Sequence, residues 1–188
     1  VALVAHRGQL MQQLKLSDPG AMCAVMASQE QVAPLIEGIE GLVVANINHP
    51  SQVVLSGFTN AVAEATEKLT VAGLKVTALE VSHAFHSPLM NDIDKGMTAL
   101  LGPLDVKPAD LPVVSCISGA PYSSVEQARR VWERHAAAPV QFVRALNTCV
   151  TMGVDTFVQM GAGTALLSFA RGVAAQVPNA SFVALAQN

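Results

Sequence analysis

Between Val81 and Met90 the sequence reads VSHAFHSPLM, which sets two histidines three residues apart and follows the second with Ser-Pro. An imidazole titrates near neutrality, so either ring could serve as a general base toward a hydroxyl or a thiol. A base needs a group to activate. The usual elbow, Gly-x-Ser-x-Gly, holds a serine on a sharp strand-to-helix turn, and the sequence contains none. LSGFT and CISGA carry Ser-Gly without the first glycine, and Ser87 is too close along the chain to fold back readily onto the ring of His86. Cys23, Cys116 and Cys149 are widely spaced in apolar runs, which favours buried reduced thiols over disulfides or a metal site.

The elements that would carry these residues follow from periodicity. VALVAHRGQLMQQLKL opens helix-like without an initial Met, as though the chain starts inside a larger protein. GAMCAVMA reads as a strand, and SQEQVAPLIEGIE as a helix with Ser28 as its N-cap. GLVVANINHP and QVVLSG form a hairpin around Asn48-His49-Pro50-Ser51. TNAVAEATEKLTVAG is an amphipathic helix starting at Thr59 or Asn60 and ending at Gly73, and LKVTALEVS alternates as a strand. The order βαββαβ over residues 20–82 predicts a ferredoxin-like small subdomain. Beyond it, SPLMNDIDKGMTALLG, SSVEQARRVWERHAAA, QFVRALNTCVTMG and TALLSFARGVAAQ read as helices; LPVVSCISG, VDTFVQMG and SFVALAQ read as strands. Strands alternating with helices predict a covered α/β body, residues 83–188, into which the small subdomain is inserted, with residues 1–19 a helix of the same body.

With 51% apolar and 13% charged residues in 188, the chain can bury a sizeable core. A formal charge of −3 without a basic stripe argues against nucleic acid, and no apolar run approaches the roughly 20 residues of a membrane-spanning helix. The cytoplasm is the default compartment.

SHAFHSPLM resembles the active-site histidine segment of malonyl-CoA:acyl-carrier-protein transacylases and of the acyltransferase domains of polyketide, fatty acid and polyunsaturated fatty acid synthases. HRGQLMQ, GAMCAV, NINHPSQVVLSG, PVVSCISG, HAAAPVQF and FVQMGAG resemble further segments of that family in the same order. The resemblance implies a partial α/β-hydrolase-like large subdomain around the ferredoxin-like unit, lacking the segment that bears the nucleophilic serine. It implies transfer of a malonyl group from CoA, through a serine ester, to the phosphopantetheine thiol of an acyl carrier protein, with no bound cofactor or metal. His86 is then the catalytic base, Arg7 the partner of the malonyl carboxylate, and Asn48 a substrate-binding residue on a link, shared with Gln52, that approaches the cleft; simple turn chemistry is the alternative for both. His83 and Phe85 complete the four-residue signature that accompanies malonyl rather than methylmalonyl use. Partners implied are the carrier protein, the upstream part of the same domain and neighbouring synthase domains. His135 stands where relatives often carry a glutamine whose backbone oxygen steadies the catalytic imidazole, so the side-chain change is not expected to matter, and surface exposure on an Arg-rich helix is the expected role of its side chain. Ala162 and Gln159 depart from the family pattern at positions expected to affect packing more than chemistry. Two other classes stay open: a non-catalytic docking or scaffold fragment, and a hydrolase of the same architecture.

Overall fold

The computed structural model describes residues 2–185. Its centre is a four-stranded antiparallel sheet, and the sheet's burial explains its sequence. Ala21–Val25 (β1), Leu42–His49 (β2), Gln52–Gly57 (β3) and Val76–Ala78 (β4) are ordered β2-β3-β1-β4. Gln29–Ile36 (α2) and Thr59–Val71 (α3) cover one face, where Cys23, Val25, Val53 and Leu55 meet Val32, Ala65 and Leu69 in a closed core. The opposite face carries Met22, Val54 and Ala45. Because successive side chains point to opposite faces and both faces of β3 are covered, Val53-Val54-Leu55-Ser56 is buried throughout and reads as a continuous apolar run rather than an alternation.

Local chemistry sets the ends of these elements. α2 opens with a capping box in which the Ser28 side chain accepts from Gln31 N and the Gln31 side chain accepts from Ser28 N. α3 is capped from a distance. Neither Thr59 nor Asn60 caps it as expected; Asp18 Oδ2 accepts the Thr59 N–H at 2.9 Å and Oδ1 accepts the Thr59 hydroxyl at 2.6 Å, a carboxylate placed against a helix N-terminus. Gly20 follows in a left-handed conformation, φ 75°, and a Cβ there would lie 2.4 Å from the Gly57 carbonyl oxygen. Gly20→Ala is expected to cost roughly 2–4 kcal/mol in urea unfolding. Gly38→Ala, at φ 79° but with open space around it, is expected to show only the roughly 1–2 kcal/mol of left-handed strain.

A helical layer packs beside the sheet. Ala2–Gln13 (α1) lies on Asp92–Leu101 (α4), where Gly96 admits the Leu10 side chain and the core is built from Met90, Ile93, Met97 and Leu101. Ser87 caps a short 3-10 turn, Pro88–Met90, that precedes α4; the sequence read these as one helix, but Pro88 confines the first turn to its own short unit. Val125–Arg134 (α5) is capped by Ser124 and closes against α4. Phe142–Thr151 (α6), Thr156–Met160 (β5), Ala165–Ala174 (α7) and Ser181–Leu185 (β6) complete the order. β5 and β6 pair in parallel, with Phe157 stacked on Phe182.

Two expected strands differ. Among the described residues LPVVSCISG forms only an isolated bridge, Val114 to Pro121, with no neighbouring strand there to supply a ladder; Leu111 is 78% exposed. LKVTALEVS keeps only Val76–Ala78, the rest running as irregular chain toward His86. The final residues of SFVALAQ lie outside the described residues. Of the three cysteines only Cys23 is buried; Cys149 is partly so and Cys116 is exposed, since the loop bearing it never enters a sheet. No helix among the described residues is long and apolar enough to cross a membrane.

The C-terminal elements are tied to the sheet by backbone. Val140 forms a parallel bridge with Asn46, donating its N–H to Ala45 O at 2.8 Å and accepting from Ile47 N at 2.9 Å. At the far end of β2 the His49 ring lies directly on Gly172 of α7, where a Cβ would come 1.8 Å from Nε2.

Candidate active-site cleft

His86 lies in the irregular connection between β4 and α4, and its backbone is unusual. Its φ is 58°, a left-handed conformation that β-branched residues avoid and histidine adopts more readily than most. Such outliers persist only where the surroundings hold them. Here His86 N donates to Ala136 O at 2.8 Å, and the ring Nδ1 donates to Ala138 O at 2.9 Å. A carbonyl can only accept, so Nδ1 carries the hydrogen and Nε2 keeps its lone pair. Burial pushes the imidazole below its ordinary value of 6.5; the Ala138 carbonyl opposes this, the Arg7 charge adds to it, and the His135 carbonyl also opposes it. The ring is therefore neutral at pH 7, with a free basic nitrogen at the edge of a cleft.

That cleft measures about 440 Å³, and among its lining residues are Arg7, Asn48, Phe85 and His86. Four of the five residues singled out from the sequence thus share one space. The fifth, His83, stands behind Phe85, its ring edge-on at a centroid separation of 6.1 Å and its Nδ1 within 3.1 Å of the Ser82 hydroxyl. His83 does not line the cleft. Arg7 projects from α1 and is half-buried. Its Nε donates to His135 Nε2, and His135 Nδ1 in turn donates to Trp132 O. His135 is accordingly not the exposed helix residue its Arg-rich surroundings suggested: it ends α5 half-buried, facing inward toward Arg7.

Asn48 separates from Gln52 in the structure. β2 carries two irregularities against β3: Val44 pairs with Leu55 and Asn46 with Val54, then Ile47 pairs with Val53 and His49 with Gln52. Ala45 and Asn48 are the unpaired extra residues, and such bulges re-aim side chains. Asn48 lines the cleft, whereas the Gln52 amide donates to the Met26 sulfur at 3.3 Å outside it. Asn46, two positions before Asn48, also lines the cleft and escaped the sequence reading, because the bulge at Asn48 breaks the alternation that would otherwise assign its face.

None of the described residues that line the cleft bears a hydroxyl or thiol. Ser87, nearest in sequence, is buried with its hydroxyl donating to Ala84 O at 2.7 Å. Gln159 spans the loop after β5, donating to Gly163 O at 2.9 Å and accepting from Leu167 N at 3.1 Å, so this departure from the family pattern does hold a loop. Among the described residues no group of three His, Cys, Asp or Glu side chains comes together to hold a metal ion. A half-buried cation, a neutral imidazole with one free nitrogen and a pair of amides can together bind an anionic acyl group and move a proton beside it.

Residues 1–186 match the family model described as the acyl transferase domain. The chain is 37% identical over 182 residues to the spectinabilin polyketide synthase system protein NorB of Streptomyces orinoci, an alignment covering 95% of this chain and 8% of that protein. It superposes with a TM-score of 0.88 and 33% identity on the acyltransferase domain from the second module of the salinomycin polyketide synthase, covering 99% of this chain and 43% of that one. A malonyl-transacylase in complex with its type II polyketide acyl-carrier protein matches with a TM-score of 0.87 and 26% identity, over 100% of this chain and 60% of that one. The chain thus spans less than two thirds of each relative.

Proposed function

We propose, because the chain belongs to the acyl transferase domain family, that its cleft is the supporting half of a malonyl transfer site whose nucleophilic serine lies upstream of Val1. The observation that carries this reading is the free Nε2 of His86 at the edge of the same cleft into which Arg7 projects. The α1, α4–α7 and β5–β6 elements then form part of an α/β-hydrolase-like large subdomain, and β1–β4 with α2 and α3 a ferredoxin-like small subdomain inserted in it.

The chemistry follows from these groups. Nε2 of His86 takes the serine proton as the hydroxyl oxygen attacks the thioester carbonyl carbon of malonyl-CoA; the C–S bond breaks and the same proton passes to the departing CoA thiolate. In the second half the phosphopantetheine thiol of a carrier protein gives its proton to Nε2, attacks the serine ester and releases the serine oxygen, which recovers that proton. Arg7 meets the malonyl carboxylate, which would be costly to bury unpaired. Phe85 beside the acyl carbon leaves little room for an added methyl; a single methyl is worth about 1–3 kcal/mol in such a pocket, so the result is preference for malonyl over methylmalonyl. His83 packs against Phe85 and supports that wall. Asn48 contributes an amide at the rim. Such a protein works in the cytoplasm with carrier protein and synthase domains as partners.

Incubating the full-length polypeptide with radiolabelled malonyl-CoA is expected to give an acid-stable protein label that an acyl carrier protein discharges. Absence of any label would leave the non-catalytic scaffold reading; release of free malonate in preference to transfer would make it a hydrolase.

A further inference from the structure

The His135 side chain has no role in the reaction set out above, yet both nitrogens of its half-buried ring are engaged. Nδ1 donates to Trp132 O, and Nε2 accepts from Arg7 Nε. A carbonyl only accepts and a guanidinium only donates, so a single neutral tautomer satisfies both contacts. Two of the three residues after it hold the base: Ala136 O takes the backbone N–H of His86 and Ala138 O its ring N–H. One short segment therefore orients the imidazole through its backbone and the guanidinium through a side chain.

We propose that His135 is a positioning residue that occupies the Nε–H of Arg7, so that Arg7 offers its two terminal nitrogens to an acyl carboxylate, and that protonation of His135 releases this grip. The inference rests on the reading of Arg7 as the carboxylate partner. An imidazolium has no lone pair to accept the Arg7 Nε–H, and its charge repels the guanidinium. The groups facing His135 are Arg7 from α1, His86 from the turn before α4, and Asp94 from α4, with Arg134 and Glu133 of its own helix acting on Asp94. Burial, the Arg7 charge and, once it too is protonated, His86 disfavour a charged ring, while the Trp132 carbonyl and Asp94 favour it. Asp94 Oδ1 is itself buried without a hydrogen-bond partner, leaving a carboxylate oxygen for the ring to turn toward once charged.

The test has two arms. In nitrogen-15 spectra of this chain, a through-hydrogen-bond coupling between Arg7 Nε and His135 Nε2 is expected at high pH and is expected to vanish as His135 protonates. In the full-length polypeptide, malonyl-CoA and acetyl-CoA loading are compared across pH. Protonation of His86 slows both donors alike, so their ratio isolates the Arg7 grip. His135→Ala is expected to lower the malonyl-to-acetyl preference about tenfold, chiefly through KM for malonyl-CoA. His135→Gln, which keeps an acceptor, restores most of it and flattens its pH dependence. A missing coupling, or a malonyl-to-acetyl ratio that neither His135→Ala nor pH alters, overturns the proposal. Should neither donor load at all, the transfer reading fails by itself, and the coupling still decides whether His135 holds Arg7.

Discussion

His86→Ala is expected to slow malonyl loading of the full-length polypeptide by roughly 10²–10⁴-fold, the range set by loss of a general base. The reason is that none of the other described lining residues offers a basic nitrogen: Arg7 is a cation, Asn46 and Asn48 are non-basic amides, and the remaining lining is apolar. Backbone strain complicates a simple alanine, since position 86 has φ 58°. His86→Asn serves as the control, because asparagine tolerates the left-handed region and has no basic nitrogen. Equal losses in the two variants place the defect in proton transfer. A variant that loads at the wild-type rate would remove His86 from the chemistry. The pH profile gives an independent reading. Burial lowers the pKa of the folded imidazole below its ordinary 6.5, so the base stays deprotonated and active at pH values where an exposed histidine is already charged. Stability behaves oppositely. Below about pH 6.5 the unfolded chain takes up a proton that the folded ring resists, so this residue destabilises the fold progressively as pH falls until the folded ring itself titrates.

Arg7→Ala is expected to raise KM for malonyl-CoA by roughly 10–150-fold, corresponding to the roughly 1.5–3 kcal/mol of a charge-assisted hydrogen-bonded contact. The same substitution is expected to leave acetyl-CoA loading far less affected, because an acetyl group has no carboxylate to lose a partner. Arg7→Lys recovers only part of the malonyl preference, since an ammonium supplies charge without the planar fork. Steady-state loading with both donors reads the effect, and an unaltered malonyl-to-acetyl ratio in Arg7→Ala would show that the guanidinium does not bind the acyl group. The two substitutions also separate from one another. Loss of His86 reduces both donors, whereas loss of Arg7 discriminates between them.

The small sheet was legible because its signals are local. Ser28 and Gln31 form their capping box within four residues, Gly73 ends α3 at φ 81°, and Pro50-Ser51 closes the β2–β3 hairpin. The residues gathered in the cleft were legible through motif likeness and not through periodicity: nothing in the spacing of Arg7, Asn48 and His86 announces that they meet. What stayed hidden depends on distant partners. Asp18 caps a helix 41 residues away, and Arg7 finds His135 across 128 residues. Bulges at Ala45 and Asn48 are likewise invisible to a period-two reading, which assigns each residue a face by parity alone. LPVVSCISG misled for the complementary reason. Its composition suits a strand, but a strand is a relation between neighbours, and Val114 finds only Pro121.

The backbone clasp between Val140 and β2 has a mechanical consequence. The same short stretch, from His135 to Val140, grips the sheet at one end and orients the imidazole and guanidinium at the other. Sliding or tilting the sheet against the helices would therefore shift both groups together relative to the cleft they line.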